Sequence, residues 1–218
     1  MAGAEVASPE LVELAGLLRH ARSVVALTGA GISVPSGIPD FRSPGSGVWE
    51  KVDPMEVAHI DAFHEDPVRF WRFYGERFAT LEGKLPNGAH QALVALEHGG
   101  LLDGVITQNV DMLHRKAGTR ELVEVHGSIA RCQCLGCGGS LPLGEARARL
   151  ARATDGVPRC EACHHPLKPG VVLFGELLPE ALRVNEEAAA AHACVSRVSW
   201  PSFLRPALID LRREGRPV

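Results

Sequence analysis

The run Val24-Val25-Ala26-Leu27-Thr28-Gly29-Ala30-Gly31-Ile32-Ser33 constrains this chain more than any other stretch. Apolar and β-branched residues feed a pair of glycines, and the chain then turns polar. That order predicts a buried strand whose C-terminal end opens onto a ligand. Without Cβ atoms, Gly29 and Gly31 let backbone N–H groups approach a phosphate closely. The third glycine of a G-x-G-x-x-G dinucleotide fingerprint is missing, because Val34 stands there. Taken alone, the run is equally well explained by a tight turn after a strand.

The neighbouring segments supply the rest of an α/β pattern. Ser8-Pro9 opens a helix carrying Leu11, Leu14, Leu17 and Leu18 at helical spacing. Pro35, Pro39, Pro44, Gly45 and Gly47 mark a long irregular segment. Asp66-Pro67 starts an aromatic helix with Phe70, Trp71, Phe73, Tyr74 and Phe78. Residues 89–98 form a helix closed by Gly99-Gly100. Short strands are predicted at Val105–Thr107 and Leu122–Val125, with a return strand over Val171–Gly175. Strands alternating with helices predict an α/β fold with a mostly parallel sheet, and polar residues gather where its strands end.

Composition removes several function classes. At 218 residues with 45% hydrophobic content, the chain suits one substantial domain with a small insert. A net charge of -3 leaves no electrostatic footprint for nucleic acid. No apolar run reaches membrane-spanning length, and Met1–Glu10 lacks the pattern of a secretory signal. Four of the six cysteines form two pairs, Cys134-x-x-Cys137 and Cys160-x-x-Cys163. In this setting four thiolates predict a closed tetrahedral zinc site and a reducing, cytoplasmic environment. Such a site has no position for activated water, so the metal is expected to fold its module. Cys132 and Cys194 fall outside the pattern and are expected not to bind metal.

Other residues admit two readings each. His126 precedes Gly127 at a strand exit, where a histidine serves either as a structural group or as a base near neutral pH. Asn109 and Asp111 either cap the next helix or face a ligand's hydroxyls. Arg42 is either a surface charge or a group that closes over a phosphate. Tyr74 and Arg77, three apart on a helix, either meet one carboxylate or separate into aromatic packing and solvent; the second reading is favoured.

Taken together these segments resemble the sirtuins, the NAD-dependent protein deacylases, and most closely their bacterial members. The resemblance rests on Gly29–Ser33, Gly37-Ile38-Pro39-Asp40-Phe41-Arg42, Thr107-Gln108-Asn109-Val110-Asp111-x-Leu113-His114, Val125-His126-Gly127, the two CxxC pairs and Phe174-Gly175-Glu176, in the family's order. It implies a Rossmann-like parallel sheet with a small helical and zinc-binding insert. It places an NAD-binding domain at 1–130 and 168–194, including a helical insert at about 44–86, and a zinc module at 131–167. It also implies a reaction in which an acyl group leaves a protein lysine, giving nicotinamide and O-acetyl-ADP-ribose, with acetylated proteins or peptides as substrates. His126 is then the general base, and Asn109, Asp111 and Gln108 hold the nicotinamide side. Gly29, Ala30, Gly31 and Ser33 form the phosphate-side loop. Ile38, Asp40, Phe41 and Arg42 belong to the cofactor-binding loop. Val172, Phe174 and Gly175 pair with substrate peptide, and Tyr74 with Arg77 is the arrangement some members use for acidic acyl groups such as succinyl.

The resemblance weakens after about residue 185. No glycine-serine turn follows, Gly215 is the only glycine beyond Gly175, and residues 195–218 form an atypical basic tail. A truncated or shifted reading frame is the expectation, together with weak NAD binding. It leaves open a non-catalytic zinc-bearing remnant that binds peptide, as well as desuccinylation or mono-ADP-ribosyl transfer.

Overall fold

The computed structural model describes residues 8–40, 53–178 and 193–194. Phe41, Arg42, the loop residues Pro44, Gly45 and Gly47, and the tail from Val195 lie outside the described residues. Helix α1 (Pro9–His20) leads into β1 (Val24–Thr28) and a 3-10 turn over Ala30–Ser36. Four helices follow, α2 (Pro54–Ala58), α3 (Ile60–Glu65), α4 (Pro67–Glu82) and α5 (Gly88–His98). Then come β2 (Gly104–Thr107), α6 (Leu113–Ala117), β3 (Leu122–Glu124), β4 (Gly127–Cys134), β5 (Ser140–Pro142), α7 (Leu143–Arg152), β6 (Leu167–Val171) and β7 (Ala193–Cys194). Helix starts follow local chemistry: Ser8, Asp66 and Asn87 side chains accept from the N–H groups of Leu11, Arg69 and Ala89.

The expected parallel sheet is present, with strand order β3-β2-β1-β7 and every pairing parallel. Its register aligns Thr28 with Thr107 and Thr107 with Glu124. Three strands therefore end at one level, and the residues just beyond them gather at one rim, where open α/β sheets bind ligands.

The second sheet is antiparallel, in the order β5-β4-β6. Here the sequence expectation needs correcting. The return strand predicted over Val171–Gly175 is instead β6, ending at Val171, and it joins β4 rather than the parallel sheet. β4 begins at Gly127 and stays paired with β6 as far as Val171. Gly127 makes this pairing possible. It has φ +72°, and a Cβ there would lie 2.2 Å from the Gly170 carbonyl oxygen.

The larger buried cluster lies under this small sheet. Phe63, Phe70, Trp71 and Phe78 of α3 and α4 pack with Ile129, Leu141, Leu143, Ala146, Val157 and Leu167, and with Cys134 and Cys160. Trp71 Nε1 donates to the Leu167 carbonyl at 2.9 Å, tying α4 to β6. The aromatic helix and the cysteine segment therefore share one core. Among the described residues no helix is long and apolar enough to cross a membrane.

Candidate active site and metal centre

The rim of the parallel sheet brings together most of the residues singled out in the sequence. Beyond β1, Gly29 opens the 3-10 turn, whose first turn has no side-chain cap. A Cβ on Gly29 or Gly31 would meet nothing within 4 Å, so open space adjoins both. Beyond β2, Asn109 is buried and its Nδ2 donates to the Gly29 carbonyl at 3.0 Å and to Ser33 Oγ at 3.1 Å. Ser33 Oγ in turn donates to Asp111 Oδ2 at 2.6 Å. Asp111 Oδ1 accepts from Leu113 N at 2.9 Å, spanning Met112, which sits in the left-handed region at φ 68°. Asn109, Ser33 and Asp111 thus form one chain of hydrogen bonds between two strand ends. Asp111 holds the backbone at the start of α6 through one oxygen and Ser33 through the other.

Beyond β3, His126 Nδ1 donates to the Gln108 carbonyl at 3.1 Å. A carbonyl only accepts, so the ring proton sits on Nδ1 and Nε2 carries the lone pair. Burial pushes the His126 pKa below its usual value, against the opposing pull of the Gln108 carbonyl. The ring is accordingly neutral and ready to accept a proton at neutral pH. The same backbone holds the next segment, since Val172 N donates to the His126 carbonyl at 2.8 Å.

Phe174 commits both backbone groups elsewhere. Its N–H donates to Ala58 O and its carbonyl accepts from Ile60 N, each at 2.9 Å, while its side chain is 49% exposed. Gly175 turns at φ +84°, where a Cβ would lie 2.6 Å from His59 Nε2. Ile38 donates its N–H to Ser33 O at 3.4 Å, and Asp40 is partly buried. Tyr74 and Arg77 are each engaged by neighbours on α4, although the Arg77 charge still acts on the Tyr74 hydroxyl. Tyr74 packs against Phe70 and stacks on Phe78, and burial pushes its hydroxyl up to about 12. Arg77 donates to Phe73 O at 2.6 Å and lies over the Phe73 ring.

Sequence reasoning missed a second layer of polar residues. Thr28 Oγ1 lies 2.9 Å from His114 Nε2, and the His114 ring packs on buried His90 at 4.9 Å between centroids. Asn87 Nδ2 donates to Ile32 O and Ser36 Oγ, holding the 3-10 turn from α5. The visible signal was Asn87 with His90, a capping box, which is indistinguishable in sequence from an ordinary helix start.

The four cysteine sulfurs of Cys134, Cys137, Cys160 and Cys163 lie within 4.8 Å of one another. A tetrahedral zinc with sulfur bonds of about 2.3 Å sets sulfur separations of about 3.8 Å. The Cys134–Cys163 and Cys137–Cys160 separations of 3.3 and 3.6 Å suit that geometry. N–H groups of Cys163 and Ala162 aimed at the Cys160 sulfur lower its pKa and favour the thiolate that zinc requires. Cys132 stays apart as a buried thiol pushed up to about 12 by burial.

A profile of the Sir2 family matches residues 29–196. The chain belongs to the Sir2 family. The NAD-dependent protein deacetylase 2 of Caldanaerobacter subterraneus subsp. tengcongensis is 42% identical over 201 residues, which cover 90% of this chain and 80% of that relative. A solved Sir2 structure with a deacetylated p53 peptide and 3'-O-acetyl ADP ribose superimposes with a TM-score of 0.83 at 36% identity, over 94% of this chain and 84% of that one. A Sir2–p53 peptide–NAD+ structure gives a TM-score of 0.78 at 36% identity, over 94% and 83%. The open space beside Gly29 and Gly31 and the uncapped turn give this Sir2-family chain a cradle that fits NAD on its phosphate side.

Proposed function

We propose that this chain is an NAD-dependent protein-lysine deacetylase that acts in the cytoplasm. One observation carries the reading: His126, with its proton held on Nδ1 by Gln108, presents a neutral Nε2 at the rim where Gly29, Asn109 and Asp111 meet. NAD, when bound, supplies the bond between nicotinamide and ribose whose cleavage is coupled to removal of the acyl group. His126, neutral at neutral pH, would accept at Nε2 a proton from a ribose hydroxyl of bound NAD. Asn109 and Asp111, stiffened by Ser33, orient the sugar and the nicotinamide group, because a rigid shell holds reacting groups with less entropy loss. Gly29, Ala30 and Gly31 would receive the phosphates, and Ile38 and Asp40 belong to the segment that follows this turn.

An acylated lysine is received along residues 172–175. Phe174 has already committed both backbone groups and Val172 its N–H, so main-chain pairing falls to the Val172 carbonyl and to Gly175, and the Phe174 ring offers apolar contact. Zinc holds the cysteine segment and takes no part in the chemistry. The acidic-acyl reading has less support, because Arg77 is engaged by Phe73.

The test is release of nicotinamide by purified protein given NAD and an acetylated peptide, with O-acetyl-ADP-ribose identified by mass spectrometry. Matched formation of both products is expected. Labelled protein in place of O-acetyl-ADP-ribose would point to ADP-ribosyl transfer. Peptide binding without nicotinamide release would point to a non-catalytic remnant.

A further inference from the structure

Lys168 is the one lysine among the fully buried side chains of the described residues, at 1% exposure. It lies on β6 between a leucine and a proline, where the mechanism gives it no task. Its Nζ donates to Val171 O at 2.6 Å and Pro169 O at 3.3 Å, and pairs with Glu176 Oε2 at 2.9 Å. Three ammonium hydrogens thus meet three acceptors. Glu176 Oε2 also accepts from Leu173 N at 2.7 Å, and Glu176 N donates to Leu173 O at 3.1 Å. One buried charge and one carboxylate oxygen therefore gather backbone groups of Pro169, Val171 and Leu173 around a single point.

The segment they gather is held on its other side by the site. Val172 N bonds the His126 carbonyl, and Phe174 is fixed between Ala58 and Ile60. Alternate residues are held from different sides: Val171 and Leu173 bond the ion pair, while Val172 bonds His126 and Phe174 bonds Ala58 and Ile60. A buried pair of this kind is often replaceable by apolar side chains of similar volume with little loss of stability. Its effect here is on shape, because it draws in carbonyl and N–H groups that an apolar pair cannot bind.

We propose that Lys168 and Glu176 are positioning residues that hold 171–176 in the form that receives the acylated peptide. The proposal rests on the reading that this segment is the peptide site. Neither residue touches the peptide; both act through the backbone of Val171 and Leu173.

The experiment measures the dissociation constant of a fluorescent acetylated peptide by anisotropy, the KM for NAD, zinc content and thermal melting. The variants are Glu176→Gln, the double variant Lys168→Met/Glu176→Leu and Phe174→Ala. Glu176→Gln leaves the ammonium buried without its partner, so it is the variant at risk of misfolding. The double variant removes both charges and is built to fold. The expected result is peptide affinity about tenfold weaker in the double variant, with KM for NAD and zinc content unchanged, because an unbraced segment must be ordered on binding. A folded, zinc-loaded double variant that binds peptide like the parent overturns the clamp. Phe174→Ala separates the two ideas. If it weakens peptide binding while the double variant does not, only the clamp falls. If it leaves binding unchanged, the segment does not receive the peptide, and the site reading falls with the clamp.

Discussion

At the scale of single residues, two histidines carry opposite duties with the same physics. Burial lowers the pKa of both His126 and His114. For His126 the neutral form is the working form, so kcat/KM should rise with pH through a midpoint below 6.5 and level off near neutrality. His126→Ala should lower kcat/KM by about 10²–10⁴ while NAD affinity stays within a few-fold; near-normal turnover would remove the histidine from the mechanism. His114 is set for stability. Its pKa is pushed down to about 4 by burial first and by neighbouring His90 second, with Asp111 pulling the other way. Between pH 6.5 and 4 the unfolded chain binds the proton and the folded one resists it. Stability therefore falls as pH drops through that window, by on the order of 3 kcal/mol for a shift of this size. Urea midpoints measured from pH 7 to 4 should show a shallower fall in His114→Gln than in the parent, and equal slopes would contradict the assignment.

At the scale of elements, the contrast between two glycines isolates a close approach. Gly127 and Gly100 share nearly the same φ, +72° and +71°, but a Cβ meets Gly170 O at 2.2 Å in the first and nothing within 4 Å in the second. Gly100→Ala should cost about 1–2 kcal/mol from backbone strain alone. Gly127→Ala should cost roughly 2 kcal/mol more, because β4 and β6 must part. Chemical denaturation of the two variants measures the difference, and equal losses would mean that the pairing yields easily. Strands β1, β2 and β3 of the parallel sheet were legible in sequence because each is a short apolar run closed by polar or glycine residues, whereas β7 carries no such signal. β6 was not legible either. Leu167-Lys168-Pro169-Gly170 reads as a turn, since a lysine, a proline and a glycine all disfavour a strand interior. It becomes a strand because β6 lies at the edge of its sheet, where proline is tolerated, and because Glu176 satisfies the lysine.

At the scale of the whole molecule, the shared core couples the metal to the aromatic helix. Cys134 and Cys160 pack in the same cluster as Trp71, whose indole is bonded to β6. Removing zinc releases four thiolates at one edge of that cluster, and a closed zinc site contributes folding energy directly. In a Trp49→Phe/Trp200→Phe background, chelation should red-shift Trp71 emission and expose the core to a hydrophobic dye. An unchanged spectrum after full zinc loss would mean that the core stands without the metal.

What the amino-acid order determined alone is local: the glycine pair after an apolar strand, the CxxC spacing, the helix starts at Ser8 and Asp66, and the polar groups placed just past strand ends. These follow from backbone sterics, side-chain reach and spacing over a few residues. The tertiary structure decided the rest. Only folding shows that His126 keeps its proton on Nδ1, that Ser33 joins Asn109 to Asp111, and that a lysine can be buried beside Glu176. Those outcomes depend on which distant groups share a low-dielectric interior, where every donor must find an acceptor, and no window of sequence contains both partners together with the surroundings that set their strength.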